Sequence, residues 1–401
     1  MITNKSRFNV FLDKLVRPNI HILHRSRSSF QVCGYTGLIL AVVQGVILAA
    51  YGGLSIRVLI GVIGVAILTF LGLAMATKII TGEEQIIYYH HVIAILIMSA
   101  VFLALIKQPV LPYLDIVILG IGTFQFCGRV GCLMVGCCHG RPHKWGVCYG
   151  KEHADAGFTH YYVGIRLFPI QAVESLWVLF IVIVGTIFVL AKYSPGEVLA
   201  WYVITYGMGR FIFEFARGDP ERPYYRGFSE AQWISLILMG AVVWGEFVGV
   251  ITFHLWHIVA TAGMVLTMIV VALTRKLRGT LKYRLFLPRH VKEIVEAVDK
   301  VSGMATEKIT FPTRNAAPAV IPMSCTSLDI QISSGKINDG ETSIKHYAFS
   351  SQKGTMSKDI AGYLADLIIQ LKHPLCSKEL VTRNRGVFHL LIRPLNEGGK
   401  K

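Results

Sequence analysis

The chain of 401 residues is 53 % hydrophobic and only 16 % charged, with a mean hydropathy of +0.53. A soluble protein of this length would carry about a quarter of its residues charged, so the composition excludes an ordinary soluble chain. The formal charge of +16 lies largely beside apolar runs, which points to anionic headgroups or membrane topology and away from nucleic acid.

Residues 1–30 carry Lys5, Arg7, Lys14, Arg17, Arg25 and Arg27 against Asp13 alone. They read as a basic interfacial segment in which Phe8–Val16 lies flat as a short helix, with no secretory leader. Near-uncharged runs follow at about 31–53, 56–77, 86–106 and 110–127, each close to the length that spans a bilayer. A polar interval over 128–168 comes next, then apolar runs near 171–192 and 196–215 and an arginine-rich patch over 216–229. The stretch 231–274 is long enough for two short spans, or for one span and a re-entrant piece. The expected fold is therefore an all-α polytopic membrane domain over 31–275 with seven or eight transmembrane helices. Residues 280–401 change to mixed composition and read as a small soluble α+β domain. Within it, Val291–Val301 and Asp359–Leu371 repeat apolar residues at helical spacing, while Ser327–Ser333 and Val387–Ile392 read as strands.

The chain is organised around Cys127–Pro142, which packs four glycines, four cysteines, two arginines and a histidine into sixteen residues. Arg129 and Arg141 offer permanently charged forks suited to phosphate or carboxylate, and the glycines allow close approach or positive φ. Ionisable residues at the edges of spans are costly and invite a functional reading: Tyr88, Tyr89, His90, His91, Glu174, Arg210, Glu214 and Arg217. On a continued helix Arg210, Glu214 and Arg217 share one face, either as a structural ion-pair ladder or as an anion-binding wall.

Together these pieces resemble the bacterial prolipoprotein diacylglyceryl transferase family over about residues 85–240. The carrying motifs are Gly128-Arg129-Val130-Gly131-Cys132 with Gly136, Gly140 and Arg141, then Pro169, Gln171 and Glu174. Tyr206, Gly207, Arg210, Glu214, Arg217 and Asp219 follow, then Ser229, Gln232 and Ser235. The resemblance implies transfer of a diacylglyceryl group from phosphatidylglycerol, or another anionic phospholipid, to a thiol, with glycerol phosphate leaving. The acceptor would be a prolipoprotein cysteine or another protein or small-molecule thiol, and the setting a bacterial inner membrane crossed several times. By carry-over, Arg129 and Arg210 bind phosphate, His90 or His91 moves a proton, and Glu214 orients Arg210. Gly128, Gly131, Gly140, Arg141, Gln171, Glu174, Tyr206 and Arg217 complete the substrate site.

The chain also departs from that pattern. Cys132 stands where the family has asparagine, Cys137 where it has an acid, and Phe168 where it has histidine. A paralogue with another acceptor or headgroup, or a membrane thiol-redox or metal protein on the same scaffold, is the alternative. Five cysteines fall between 127 and 148 without a Cys-x-x-Cys pair, so the spacing predicts neither metal nor other cofactor. Cys132, Cys137 and Cys138 are the candidates for a thiol role, including a covalent relay through Cys137 or Cys138. A disulfide from Cys132 or Cys137 to Cys148 is expected if the loop meets an oxidising side. The family orientation puts the loop outside and the C-terminal domain in the cytoplasm, whereas counting positive charges puts the loop inside.

Overall fold

The computed structural model describes residues 6–22, 25–82, 87–220, 223–277, 284–285, 287–304, 323–339, 342–373 and 376–394. Helix α1 (Arg7–Leu15) is capped by the Ser6 side chain and leads into a hairpin of β1 (Asn19–Ile22) and β2 (Arg25–Ser28). The membrane part comprises α2 (Ser29–Tyr51), α3 (Ile56–Thr81), α4 (Tyr88–Leu105) and α5 (Val110–Val135). After α5 come β3 (Pro142–Cys148), the short α6 (Lys151–Asp155) and β4 (Arg166–Leu167), then α7 (Ile170–Leu190) and α8 (Glu197–Phe213). A hairpin of β5 (Tyr224–Tyr225) and β6 (Phe228–Ser229) precedes α9 (Glu230–Phe247) and α10 (Leu255–Leu277).

Among the described residues, six helices are long and apolar enough to cross a membrane: α2, α3, α4, α5, α7 and α10. The shorter and more polar α8 and α9 pack among them. The protein is thus a multi-pass membrane protein, and α9 with α10 resolves the stretch 231–274 into two helices. Lipid tails give little hydrophobic drive for helices to associate, so polar ties between helices matter, at roughly 0.6–2 kcal/mol each. Tyr88 and Tyr202 meet hydroxyl to hydroxyl at 2.9 Å, and Tyr89 meets Ser235 at 2.6 Å. Asp115 on α5 accepts from the backbone of Gly196 (2.7 Å) and Leu199 (2.8 Å) at the start of α8.

α5 is the most buried of these helices and packs against α2, α7 and α8. The expected end of this span at 127 is wrong: the helix runs on through Cys127–Val135 and carries Arg129 and Cys132 with it. Gly128 and Gly131 read as loop in the sequence but lie inside this helix. The turn comes at Gly136, whose φ of +87° places it in the left-handed region, where glycine closes helices without a Cβ penalty.

The soluble part is a five-stranded antiparallel sheet in the order β10 (Cys376–Asn384), β11 (Val387–Pro394), β9 (Thr342–Ser351), β8 (Ile330–Asp339), β7 (Met323–Cys325). Helices α11 (Pro288–Met304) and α12 (Lys358–Lys372) pack on it around Ile332, Phe349, Leu364 and Leu390. The strand expected from Ser327 begins at Ile330, because Thr326–Asp329 forms a turn with Asp329 at φ +59°.

The soluble domain touches the membrane part on the side of the 128–168 loop. Val291, Val295 and Leu371 share one apolar cluster with Leu12, Leu133, Val147, Tyr149 and Tyr162. The basic helix α1 sits there too: Asn9 accepts from Gly146 N (3.0 Å), and Asp13 accepts from Cys148 N (2.9 Å) and Arg166 (2.9 Å). Phe8, Phe11 and Leu15 remain exposed on the outer side of α1, as an interfacial helix requires. An outward loop combined with a C-terminal domain on the opposite face is therefore not a geometry this chain adopts.

Candidate functional site

The glycine–arginine stretch, the end of α8 and the start of α7 converge on one buried carboxylate. Glu174, in the first turn of α7, has no exposed surface. Its Oε1 lies 3.0 Å from Arg129 and its Oε2 lies 3.2 Å from Arg217. Tyr206 on α8 donates to Glu174 Oε1 (3.2 Å) and accepts from Gln125 Nε2 (2.8 Å). Gln125 is one turn before Arg129 on α5, so the two reach the same carboxylate from one helix face.

The expected ladder of Arg210, Glu214 and Arg217 is only half formed. Arg210 and Glu214 meet at 2.6 Å, both buried. The α-helix ends at Phe213, tightens into a 3-10 turn over Glu214–Ala216, and opens to extended backbone at Arg217. That break swings Arg217 away from the helical register to Glu174 and to Asp219, 3.0 Å from its Nε. Fully buried and held by two carboxylates, Arg217 is a structural anchor as much as a binding group.

The signature loop is stitched to this anchor through backbone. Gly218 N donates to His139 O (2.9 Å), Arg141 N to Ala216 O (3.1 Å), and Arg141 Nε to Arg217 O (3.0 Å). Gly140 and Gly218 leave no room for a side chain, since a Cβ on Gly218 would stand 2.6 Å from Gly140 O and one on Gly140 would collide with Phe168 O. Gly131 lies close against Phe30 and Cys33 of α2, whereas Gly128 faces open space. Gln171 donates to Cys137 O (2.8 Å), fixing the turn that follows α5.

The loop arginine Arg141 is half-buried and has no carboxylate partner among the described residues. Arg129, Arg210 and Arg217 thus pair with Glu174, Glu214 and Asp219, while Arg141 lies beside them on the Arg217 carbonyl. Such a cluster of guanidinium forks is suited to the oxygens of a phosphodiester.

The two histidines at the start of α4 differ. His90 is exposed and its Nε2 lies 2.7 Å from Glu230, at the start of α9. His91 is buried, with Nδ1 donating to Ile87 O (3.0 Å) and Nε2 without a partner among the described residues. The same helical turn carries Tyr88 and Tyr89, whose rings stand 5.0 and 5.9 Å from that of Tyr206, so it borders the Glu174 network.

All eight cysteines are free, so the expected disulfide to Cys148 is not formed. The sulfurs of Cys132, Cys137 and Cys138 instead lie within 4.8 Å of one another. Sequence spacing argued against a metal here, because Cys-x4-Cys-Cys is not a familiar ligand pattern; the turn at Gly136 nevertheless folds the last two sulfurs back onto the first. Hydrogen bonds from Cys132 and Cys137, with Arg217 and Arg129 nearby, hold the Cys138 thiol well below the usual thiol range. Donating to its neighbours, together with burial of its sulfur, pushes Cys137 well above it. His139 is kept neutral by burial between Phe158 and Tyr162, which lowers its pKa.

Comparison with known proteins fits this geometry. The family model described as prolipoprotein diacylglyceryl transferase matches residues 52–248, from the end of α2 to the end of α9. Residues 52–248 of the membrane domain carry that family's pattern. The chain is 37 % identical over 141 residues to the phosphatidylglycerol–prolipoprotein diacylglyceryl transferase of Clostridium tetani, covering 33 % of this chain and 53 % of the relative. It is 31 % identical over 144 residues to the second such transferase of Clostridium perfringens, covering 34 % and 52 %. A transferase of Dehalococcoides mccartyi is 32 % identical over 133 residues, covering 32 % and 48 %. The chain thus spans about half the length of these relatives. Helix α10 and the soluble domain lie beyond the family match.

Of the residues carried over from the family resemblance, Arg129, Arg217 and Tyr206 meet at Glu174, and Arg210 pairs with Glu214. Gly140 and Arg141 are tied to the Arg217 segment, and Gln171 holds the Cys137 carbonyl. Gly128 faces open space, Gly131 packs on α2, and His90 and His91 stand at the border. Sequence reasoning missed Gln125, Tyr202 and Ser175, the last donating to Phe126 O (3.1 Å). A glutamine inside an apolar run, four residues before the signature arginine, was the available signal for the first of them.

Proposed function

We propose that the protein transfers a diacylglyceryl group from phosphatidylglycerol to a thiol, with a prolipoprotein cysteine as the acceptor. The observation that carries this reading is the clustering of Arg129, Arg141, Arg210 and Arg217 about buried carboxylates at a family-matched site. A phosphodiester headgroup supplies one negative charge, and Arg141, Arg129 and Arg210 would hold it while Glu174 and Glu214 keep the forks oriented. As the C–O bond breaks, charge grows on the departing phosphate, and preformed guanidinium groups stabilise that change without reorganising.

The acceptor sulfur attacks as thiolate, so its proton must be removed. His90, oriented by Glu230, is the group we assign to this step, with His91 as a buried neighbour of the same turn. A covalent relay through a cysteine of this chain is not part of the proposal. Alkylating Cys137 or Cys138 would give a thioether, which is no leaving group, and the reaction would stop there.

We further place the bundle in a bacterial inner membrane and the C-terminal domain in the cytoplasm. The helix connections on the far face, 52–55, 106–109, 191–196 and 248–254, carry only Lys107 and Lys192 as basic residues. Arg7, Lys14, Arg17, Arg25 and Arg27 lie on the face shared by the loop and the soluble domain, and such a bias marks the cytoplasmic side. This placement carries the site with it, and so favours the second reading, a paralogue whose thiol acceptor is met in the cytoplasm.

Two measurements test these readings. Arg129→Ala and Arg210→Ala are each expected to abolish lipid transfer from phosphatidylglycerol, and normal transfer by both variants would sink the main proposal. Labelling exposed Cys325 with a membrane-impermeant maleimide tests the orientation. It should react in inside-out vesicles and not in intact cells; reaction from outside reverses the orientation and removes the case for the second reading.

A further inference from the structure

From the thiol cluster beside the arginines we infer that Cys132, Cys137 and Cys138 form a three-thiolate site for a thiophilic cation, zinc(II) by its donor set, whose fourth position takes an incoming thiol. The fourth-position role rests on the transferase reading above; the metal site does not.

Geometry carries the first half. Three sulfurs within 4.8 Å of one another need only a small contraction to bind one ion, since a tetrahedral zinc site with Zn–S of about 2.3 Å sets its sulfurs about 3.8 Å apart. The backbone is built to present them. Gly136 turns the chain at φ +87°, and Cys138 itself is held at φ +53°, a left-handed conformation that costs a non-glycine residue roughly 1–2 kcal/mol. Gln171 on α7 fixes the carbonyl of Cys137 between those two residues. A strained cysteine, turned so that its sulfur joins two others, is better explained by a shared ligand than by simple replacement of small polar groups.

Access and charge agree. Cys132 is buried and Cys138 half-buried, but Cys137 is exposed and lines a cavity of about 540 Å3. Glu152 and Asp155 line the same cavity, so two carboxylates sit on the approach of a cation. Zn²⁺ and three thiolates give a zinc tris-thiolate of charge −1, each ligand still protonated giving up its proton on binding. Arg129 and Arg217 stand beside Cys138 and balance that charge.

Three protein ligands with one open side is the arrangement of a zinc site that keeps a position for water or substrate. A thiol that coordinates zinc is deprotonated outright. The acceptor R–SH would bind at the fourth position and lose its proton to His90 or water. Its sulfur then forms the C–S bond to the glyceryl carbon as the C–O bond breaks, and the electron pair leaves on the phosphate oxygen of glycerol phosphate. The product thioether, a weaker ligand than thiolate, would be released from the metal.

The test uses the full-length chain, purified in detergent, reduced and stripped of metal with a chelator, then titrated with Co²⁺ as a spectroscopic stand-in. One equivalent should produce a thiolate-to-cobalt charge-transfer band and tetrahedral ligand-field bands, both removed by one equivalent of Zn²⁺. Cys132→Ser and Cys138→Ser should lose the bands; Cys137→Ser, at an exposed position that leaves packing intact, should weaken binding at least tenfold; Cys148→Ser should change nothing. Absence of a charge-transfer band in the unaltered protein, or a band that survives in all three cluster variants, overturns the site. A cysteine peptide should shift the ligand-field bands where its serine counterpart does not, and a spectrum indifferent to both overturns the fourth-position role. Because binding is read without turnover, protein that binds zinc but transfers no lipid overturns only the transferase reading. Full transfer by rigorously metal-free protein overturns only the role of zinc in it.

Discussion

Glu174 holds Arg217 at 3.2 Å through one carboxylate oxygen while its other oxygen, 3.0 Å from Arg129, ties the signature helix to the same point. Removing one member of a buried ion pair leaves the other charged and unpaired, at a cost of about 3–5 kcal/mol. Glu174→Gln keeps the size and the bond from Tyr206 but takes the carboxylate from Arg129 and leaves Arg217 with Asp219 alone. We expect a fall in thermal unfolding temperature in detergent and at least a hundredfold loss of transfer; unchanged stability would mean that the network is not built on this carboxylate.

Arginines in the cluster should separate by role. Arg217 has no exposed side-chain surface to speak of and two carboxylate partners, so Arg217→Ala should mainly destabilise the protein. Arg141 is half-buried with no carboxylate partner among the described residues, so Arg141→Ala should leave unfolding nearly unchanged and raise the apparent KM for phospholipid by tenfold or more. Lipid-titration kinetics with parallel melting curves check both.

Close backbone approach at the loop gives a prediction by substitution with alanine. A Cβ at Gly140 or Gly218 meets backbone oxygen, so Gly140→Ala and Gly218→Ala should each displace the Arg141–Arg217 stitch and reduce activity strongly. Gly128 has open space around the same atom, and Gly128→Ala should be tolerated or mildly stabilising within its helix. Equal effects at all three positions would contradict this account of the loop.

In the soluble domain, burial, with Lys345 and Lys372 nearby, pulls His373 down to about 4. The folded state then takes up its proton later than the unfolded state, whose imidazole titrates near about 6.5. Stability is therefore fully present above that value and declines as pH falls toward 4. Near-ultraviolet circular dichroism should show this domain melting several degrees lower at pH 5 than at pH 7.5. His290 and His346 are shifted in the same direction by burial, so His373→Gln should shrink the difference without abolishing it.

The sequence made the helices legible wherever an apolar run was bounded by charge, and made the cradle legible because arginines and glycines are rare at membrane depth. Helix α5 was cut short because Gly128 and Gly131 resemble turn residues; in the fold Gly131 serves close packing against α2 instead. The ladder Arg210, Glu214 and Arg217 was overextended, since nothing local announces that Glu174 and Asp219 will draw Arg217 out of helical register. The thiol cluster was hidden for a related reason: its spacing is unremarkable until the left-handed turn at Gly136 and Cys138 brings the sulfurs together. Tertiary pairing decided what local pattern could not.

The central claim is that the arginine cluster binds a phospholipid headgroup so that the diacylglyceryl group can move to a thiol. Its most direct test is mass spectrometry of a cysteine-containing prolipoprotein peptide incubated with the purified chain and phosphatidylglycerol. The account predicts a peptide heavier by one diacylglyceryl group on its cysteine, equimolar glycerol phosphate, and neither product with Arg129→Ala. Unmodified peptide with the active, folded chain, or the same product from Arg129→Ala, would contradict it.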